Sequence, residues 1–165
     1  MKVFATSDHH FFHYNIIKYC YPYRPFETLE EMHEYSIQQW NSVVSNEDLV
    51  IYCGDFGFGN KEVLTEMLSK LNGEKILIKG NHDNHSNSFF LDCGFRSVYK
   101  RLCCGNILFT HKPYTKALEG RLNIHGHIHN NPSQYDNSPD YWNVSVEMHN
   151  FQPVELTQFK LEECY

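Results

Sequence analysis

Residues 49–83 read LVIYCGDFGFGNKEVLTEMLSKLNGEKILIKGNHD. Leu49-Val-Ile-Tyr-Cys-Gly and Ile76-Leu-Ile-Lys-Gly are short apolar runs of the kind that form buried strands. Between them Val63, Leu64, Met67, Leu68 and Leu71 recur at helical spacing, with Asn60 placed to cap the helix and Gly73 to end it. Strand, helix and strand make a βαβ unit, and hence an α/β fold with parallel pairing. Each strand runs through a glycine into polar residues, Asp55 in the first case and Asn81-His82-Asp83 in the second.

The same arrangement recurs outward along the chain. Val3-Phe-Ala-Thr-Ser leads to Asp8 and His10, Ile107-Leu-Phe-Thr to His111, and Leu122-Asn-Ile-His-Gly to His127 and His129. The carboxyl ends of strands in α/β units line a ligand crevice, so these residues are expected to meet in one pocket. Gly54, Gly80 and Gly126 precede the polar segments, where a residue without Cβ lets backbone turn sharply. Carboxylate, amide and imidazole together suit two adjacent divalent ions, a centre that activates water against phosphorus.

Thr28-Leu-Glu-Glu31 has the form of a capping box opening a helix to about Val44, with Leu29, Met32, Trp40 and Val43 on its apolar face. A short helix is expected over 86–92, a hairpin over 96–110 turning at Gly105-Asn106, and a surface loop over 130–140. No linker or repeat divides the chain, and 165 residues fit a single domain, 1–165.

An apolar fraction of 41% suffices for a core. With 14 basic and 20 acidic residues, the net charge of −6 gives no global attraction for nucleic acid or anionic membrane, so phosphate recognition must be local. No stretch approaches the roughly 20 apolar residues of a membrane span, and the expected setting is cytoplasmic. The six cysteines, Cys20, Cys53, Cys93, Cys103, Cys104 and Cys164, include no C-x-x-C pair and are expected to be reduced and structural.

Asp8-His-His10, Gly54-Asp55, Gly80-Asn-His-Asp83, His111 and Gly126-His-Ile-His129, in this order, resemble the five-block signature of the calcineurin-like metallophosphoesterases. The blocks span residues 8 to 129. Asp8-x-His10-Phe-x-His13-x-Asn15-Ile is similar to compact, cap-free bacterial and phage members, as are Tyr141 to Glu147, expected as a tail strand, and Pro153-Val154. The resemblance implies a two-sheet αββα sandwich. It also implies that Asp8, His10 and His129 hold one metal, that Asn81, His111 and His127 hold the other, and that Asp55 bridges both. Manganese is the first expectation, with iron, zinc or nickel as alternatives.

The implied reaction is hydrolysis of a small phosphate ester by a hydroxide held between the metals. His82 would contact the phosphate and stabilise or protonate the leaving group, and Asp83 would orient its ring; alternatively Asp83 only caps the turn after Gly80. His13 and Asn15 follow the first ligands closely enough to reach substrate. Arg24 ends an aromatic segment, Phe11 to Phe26, which either stacks a nucleotide-derived substrate and pairs its phosphate or packs over the sheet. A phosphodiester is the expected substrate, with a phosphomonoester as runner-up. The rival class is a non-catalytic protein-binding scaffold, against which the presence of His82 argues.

Overall fold

The computed structural model describes residues 1–116, 118–159 and 161. The elements run β1 (Val3–Thr6), α1 (Ile16–Tyr19), α2 (Leu29–Val43), β2 (Leu49–Tyr52), α3 (Lys61–Ser69), β3 (Glu74–Ile78), α4 (Asn87–Cys93), β4 (Ser97–Tyr99), β5 (Leu102–Cys104), β6 (Ile107–Phe109), β7 (Leu122–His125), β8 (Tyr141–Asn143) and β9 (Val154–Glu155). They build two sheets, ordered β4-β3-β2-β1-β9 and β5-β6-β7-β8. Strands β1 to β4 pair in parallel and β9 closes the edge antiparallel to β1. In the second sheet β6, β7 and β8 are parallel and β5 is antiparallel to β6.

The near-continuous apolar strands of the first sheet are explained by burial on both faces. Val3, Ala5, Leu49, Ile51, Ile76 and Ile78 point at Ile107, Phe109, Ile124 and Val144 of the second sheet. Their alternates, Phe4, Val50, Tyr52 and Leu77, meet Trp40 of α2, Leu64, Met67 and Leu68 of α3, and Phe90 of α4. The two-residue period of a strand thus divides one sequence run between two cores. On β7, Ile124 points into the inter-sheet core, while buried Asn123 accepts from Tyr114 N at 2.8 Å and donates to Leu108 O at 2.8 Å, holding the segment after His111 against the sheet's outer side.

Local signals behave largely as expected. Thr28 and Glu31 form the reciprocal capping box of α2, and Asn60 accepts from Val63 N at 3.0 Å to cap α3. Three boundaries differ. Helix α3 ends at Ser69, so Gly73 turns the following loop at φ 79° and does not terminate the helix. Ser97–Tyr99 joins the first sheet beside β3, which shortens the hairpin to β5 and β6, because its amides find partners on a neighbouring parallel strand. The tail strand ends at Asn143, and a short 3₁₀ turn, Val146–Met148, follows. Cys20, Cys53, Cys93 and Cys103 are free thiols. Cys104 is disulfide-bonded, which corrects the expectation for that residue; sequence spacing alone does not disclose such a pairing. Cys164 lies outside the described residues.

Candidate metal centre

Every expected ligand lies just beyond the carboxyl end of a strand, and both sheets contribute. Asp8 and His10 follow β1, Asp55 follows β2, Asn81 follows β3, His111 follows β6, and His127 and His129 follow β7. The strand ends are laced together: Asp8 N donates to Gly54 O at 2.9 Å, His10 N to Asp55 O at 3.1 Å, and Gly126 N to His111 O at 2.9 Å. Ser7 and Ser145 form an isolated parallel bridge that joins the extensions of β1 and β8.

Five of the ligand residues have positive φ: Asp8 (63°), His10 (52°), Asp55 (58°), His127 (72°) and His129 (51°). Residues with a Cβ adopt this conformation at a cost of about 1–3 kcal/mol each, so a cluster of them marks a site whose geometry is imposed by its surroundings. Two glycines make room for the carboxylates. A Cβ at Gly80 would strike Asp55 Oδ1, and one at Gly126 would strike Asp8 Oδ2.

Six of the seven expected ligands fall into two groups, Asp8–His10–His129 and Asp55–His111–His127, each with its donor atoms within 4.8 Å of one another. In the first, Asp8 Oδ1 lies 3.8 Å from His10 Nε2 and 3.9 Å from His129 Nε2. Asp8 Oδ2 is occupied behind the group by His127 N at 2.9 Å and Ser145 Oγ at 3.0 Å. Asp8 Oδ1 and both ring nitrogens of His10 are buried without a hydrogen-bond partner. Orphaned acceptors of this kind are costly unless a cation satisfies them.

In the second group His111 Nδ1 faces Cys53 O at 2.9 Å, which assigns its proton there and leaves the Nε2 lone pair facing inward. That lone pair lies 2.9 Å from Asn81 Oδ1, 3.1 Å from His127 Nδ1 and 3.3 Å from Asp55 Oδ2. Four acceptor atoms turned on one another fit a cation. A mixture of imidazole, carboxylate and amide oxygen suits first-row transition ions.

Asp55 stands between the groups. Its Oδ1 accepts from His82 N at 2.8 Å, while Oδ2 lies 3.6 Å from His10 Nε2 and 3.3 Å from His111 Nε2. Oδ2 is therefore the oxygen of this carboxylate that faces both groups.

Electrostatics follow the same division. Burial alone would raise the Asp55 carboxyl, but when His111 is protonated on both nitrogens its hydrogen bond and charge, with the His82 amide and His10, outweigh burial and hold the carboxyl at about 2. Burial pushes His10 down to about 2 and, joined by the nearby His111 and Lys112, His127 down to about 4. Both rings are thus neutral, the form that ligates metal. Burial opposes charge on His129 as well, yet Cys20, Glu147 and Asp8 raise it to about 10. The field at the first group favours positive charge.

His82 is exposed, its ring centroid 5.3 Å from that of His10, 5.6 Å from Phe58 and 6.4 Å from His13. His13 stands beside the first group as expected, 5.7 Å from His10 between ring centroids. Asn15 is exposed at the start of α1 and is not brought to the ligands by any hydrogen bond among the described residues. Asp83 departs from its expected orienting role. Its Oδ2 accepts from Asp55 N and Gly80 N, both at 2.8 Å, and its Oδ1 from Phe56 N at 3.1 Å. The carboxylate clamps two loops through their backbones.

Arg24 departs further. It is fully buried, with Nη1 donating to His9 O at 2.7 Å, Nη2 to Asp8 O, and Nε to Glu147 Oε1 at 2.7 Å. A guanidinium so committed has no face for substrate, and its place inside the fold corrects the expectation of a substrate contact. Glu147, Ser145 and Phe58 belong to the site without having been singled out in the sequence, where no motif marks them. A third convergence, Cys20–His129–Glu147, shares His129 with the first group. Arg24 lies against Glu147 there and supplies the balancing charge.

The chain matches the calcineurin-like phosphoesterase superfamily domain over residues 1–146. It is 38% identical over 166 residues to an uncharacterized protein of Methanocaldococcus jannaschii, covering 94% of this chain and 87% of that one. Among solved structures, a protein of unknown function from Aquifex aeolicus superposes with a TM-score of 0.75 at 24% identity, covering 96% of this chain and 97% of the other. A Pseudomonas putida nuclease superposes with a TM-score of 0.53 at 16% identity, covering 77% of this chain and 61% of the other. Among the described residues no helix is long and apolar enough to cross a membrane. The strand-end ligands, the two acceptor groups and the match over most of the chain lead to one conclusion: the chain belongs to the calcineurin-like phosphoesterase superfamily, a family of metal-dependent phosphoric ester hydrolases.

Proposed function

We propose that the protein is a dinuclear phosphodiesterase. Asp8, His10 and His129 would hold one divalent transition ion, manganese in the first instance, and Asn81, His111 and His127 a second. The observation that carries this reading is the placement of Asp55 Oδ2, 3.6 Å from a nitrogen of one group and 3.3 Å from a nitrogen of the other. Ions bound there supply Lewis acidity and a water nucleophile at neutral pH.

The chain's own residues then account for orientation and proton transfer. His82 Nδ1 and Nε2 are carried on an exposed ring whose backbone is pinned to Asp55 Oδ1, so the ring overhangs the first group at a fixed distance. From there it donates a proton to the departing ester oxygen. His13 and Phe58, 4.8 Å apart between ring centroids, extend the same wall. A substrate phosphate bearing two ester groups keeps one negative charge, and a wall of imidazoles and one phenyl ring suits it better than the dianion of a monoester. Arg24, the cation expected to face substrate, is turned inward. The Pseudomonas putida neighbour is a nuclease, and cleavage of nucleic acid is diester hydrolysis, which supports the same class. The monoesterase reading rests on Lys112, an exposed cation whose charge reaches His127.

Hydrolysis of bis-p-nitrophenyl phosphate and p-nitrophenyl phosphate by manganese-loaded protein tests the proposal, with Asp55→Ala as control. The expected result is faster turnover of the diester, lost in the variant. Faster turnover of the monoester would assign the runner-up activity, and turnover that survives in Asp55→Ala would remove the two-metal centre from the reaction.

A further inference from the structure

We infer that Arg24 and Glu147 form a buried positioning pair that sets the affinity and geometry of the first metal position, and that of this position alone. The inference rests on the two-metal reading of the site. Its basis is a set of contacts that converge on one side of the centre.

Glu147 Oε1 lies 2.9 Å from His129 Nδ1. That contact assigns the Nδ1 proton to the carboxylate and leaves Nε2, 3.9 Å from Asp8 Oδ1, as the ligating atom. The same Oε1 accepts from Arg24 Nε at 2.7 Å and lies 2.7 Å from Nη2. Arg24 also directs Nη1 to the carbonyl of His9 and to Met32 Sδ, and Nη2 to the carbonyl of Asp8. Both side chains of the pair are fully buried. One guanidinium therefore ties the segment after β1, which carries Asp8 and His10, to the residue that orients His129, more than a hundred positions away. Cys20 Sγ, 3.8 Å from His129 Nδ1, is the remaining polar neighbour of that nitrogen and a weak one.

The charge arrangement explains why an ion pair is used in place of a lone carboxylate. A buried, unpaired Glu beside Asp8 would be severely destabilising. Arg24 neutralises Glu147, and its planar fork spends its donors on fixed backbone oxygens, so the carboxylate stays in register with the imidazole. A carboxylate behind a ligating imidazole raises the basicity of that ligand, and loss of such a partner lowers metal affinity by roughly 10–100-fold. His111 has no such carboxylate behind Nδ1; its partner is the carbonyl of Cys53. The pair thus acts on one position and not on the other.

Calorimetric titration of manganese into metal-free wild type and Glu147→Gln tests the inference. Glutamine keeps an acceptor for His129 and removes the charge. The expected result is two sites in wild type, one of them weakened about 10–100-fold in the variant with the other unchanged. Equal affinity of both sites in wild type and variant would overturn the inference, and so would equal weakening of both. A wild type that binds a single manganese would instead overturn the dinuclear reading on which it rests. If Glu147→Gln does not fold, proton NMR of the zinc-loaded wild type decides. A slowly exchanging His129 Nδ1 proton far downfield supports the pair, and metal ligation through Nδ1 overturns it.

Discussion

In the first group Glu147 stands behind the ring of His129 and Arg24 holds the main chain of Asp8, whereas in the second His111 leans on a main-chain carbonyl and Asn81 and His127 reach toward the surface. Asp8 and His10 are buried and His129 partly exposed; likewise Asp55 and His111 are buried and His127 partly exposed, and only the exposed Asn81 breaks the parallel. The difference is one of support. Backbone partners follow from the strand ends themselves, but the Arg24–Glu147 pair requires the chain to return after β8. On the two-metal proposal the first position would be the more pre-organised, and the second, through Asn81, the more open to solvent and to chelators.

The largest expected effect concerns a residue belonging to neither group. His82→Ala lowers turnover by about 10²–10⁴-fold if the ring transfers a proton, while manganese stoichiometry stays at the wild-type value. Loss of an ion together with turnover would instead make His82 part of the first group. Next come the two glycines that seat the carboxylates. Gly126→Ala drives a methyl group into Asp8 and Ser7, and Gly80→Ala drives one into Asp55. Overpacking of this kind costs about 1–3 kcal/mol, which thermal denaturation of the metal-free proteins measures. The contrast lies in metal content. Gly126→Ala should bind the first ion weakly and the second normally, whereas Gly80→Ala should weaken both because Asp55 is shared; identical metal content in the two variants would erase the distinction between the groups.

Graded chelation is a gentler version of the same comparison. Each ion held at a hundred times its Kd stabilises the fold by about 2.7 kcal/mol, so the midpoint temperature should fall in two stages as chelator rises, with the exposed second position emptied first. A single stage would make the positions equivalent. The smallest effect separates His9 from its two neighbours. Between Asp8 and His10, this ring turns away from the centre, Nδ1 2.7 Å from Tyr52 OH and stacked on Phe11 at 4.9 Å. Burial, followed by the charge of Arg24, lowers it from 6.5 to about 3. The unfolded chain gains a proton as pH falls through 6.5 and the folded protein does not. The stability present above pH 6.5 is therefore lost progressively as pH falls toward 3. In metal-free protein, His9→Phe should flatten that decline in midpoint temperature between pH 6.5 and 4; an unchanged slope would place the acid sensitivity in the ligand histidines.

Local chemistry made much of this legible from residues alone. The apolar runs ending in Gly-Asp, Gly-Asn-His and Gly-His-Ile-His announce strands that stop at polar loops, and Thr28, Asn60 and Ser86 cap helices with their own side chains. Those signals span a few residues, so the sequence displays them directly. Asp83 and Arg24 each carried two readings in the sequence because proximity to a motif says nothing about which way a side chain turns. Asp83 accepts from the nearby Gly80 amide and also from the amides of Asp55 and Phe56, which become its neighbours only when β2 and β3 pair, and Arg24 donates to the carbonyls of Asp8 and His9.

By itself, then, the sequence determined most of the strand and helix inventory, short α1 and the separate strand β4 excepted, along with the candidate metal-ligand residues and their order. Tertiary structure alone decided that these residues divide between two sheets, that one oxygen of Asp55 faces both groups, and that Glu147 stands behind His129. Periodicity and capping are properties of neighbouring residues, whereas the partner of a buried charge is set by where distant segments meet.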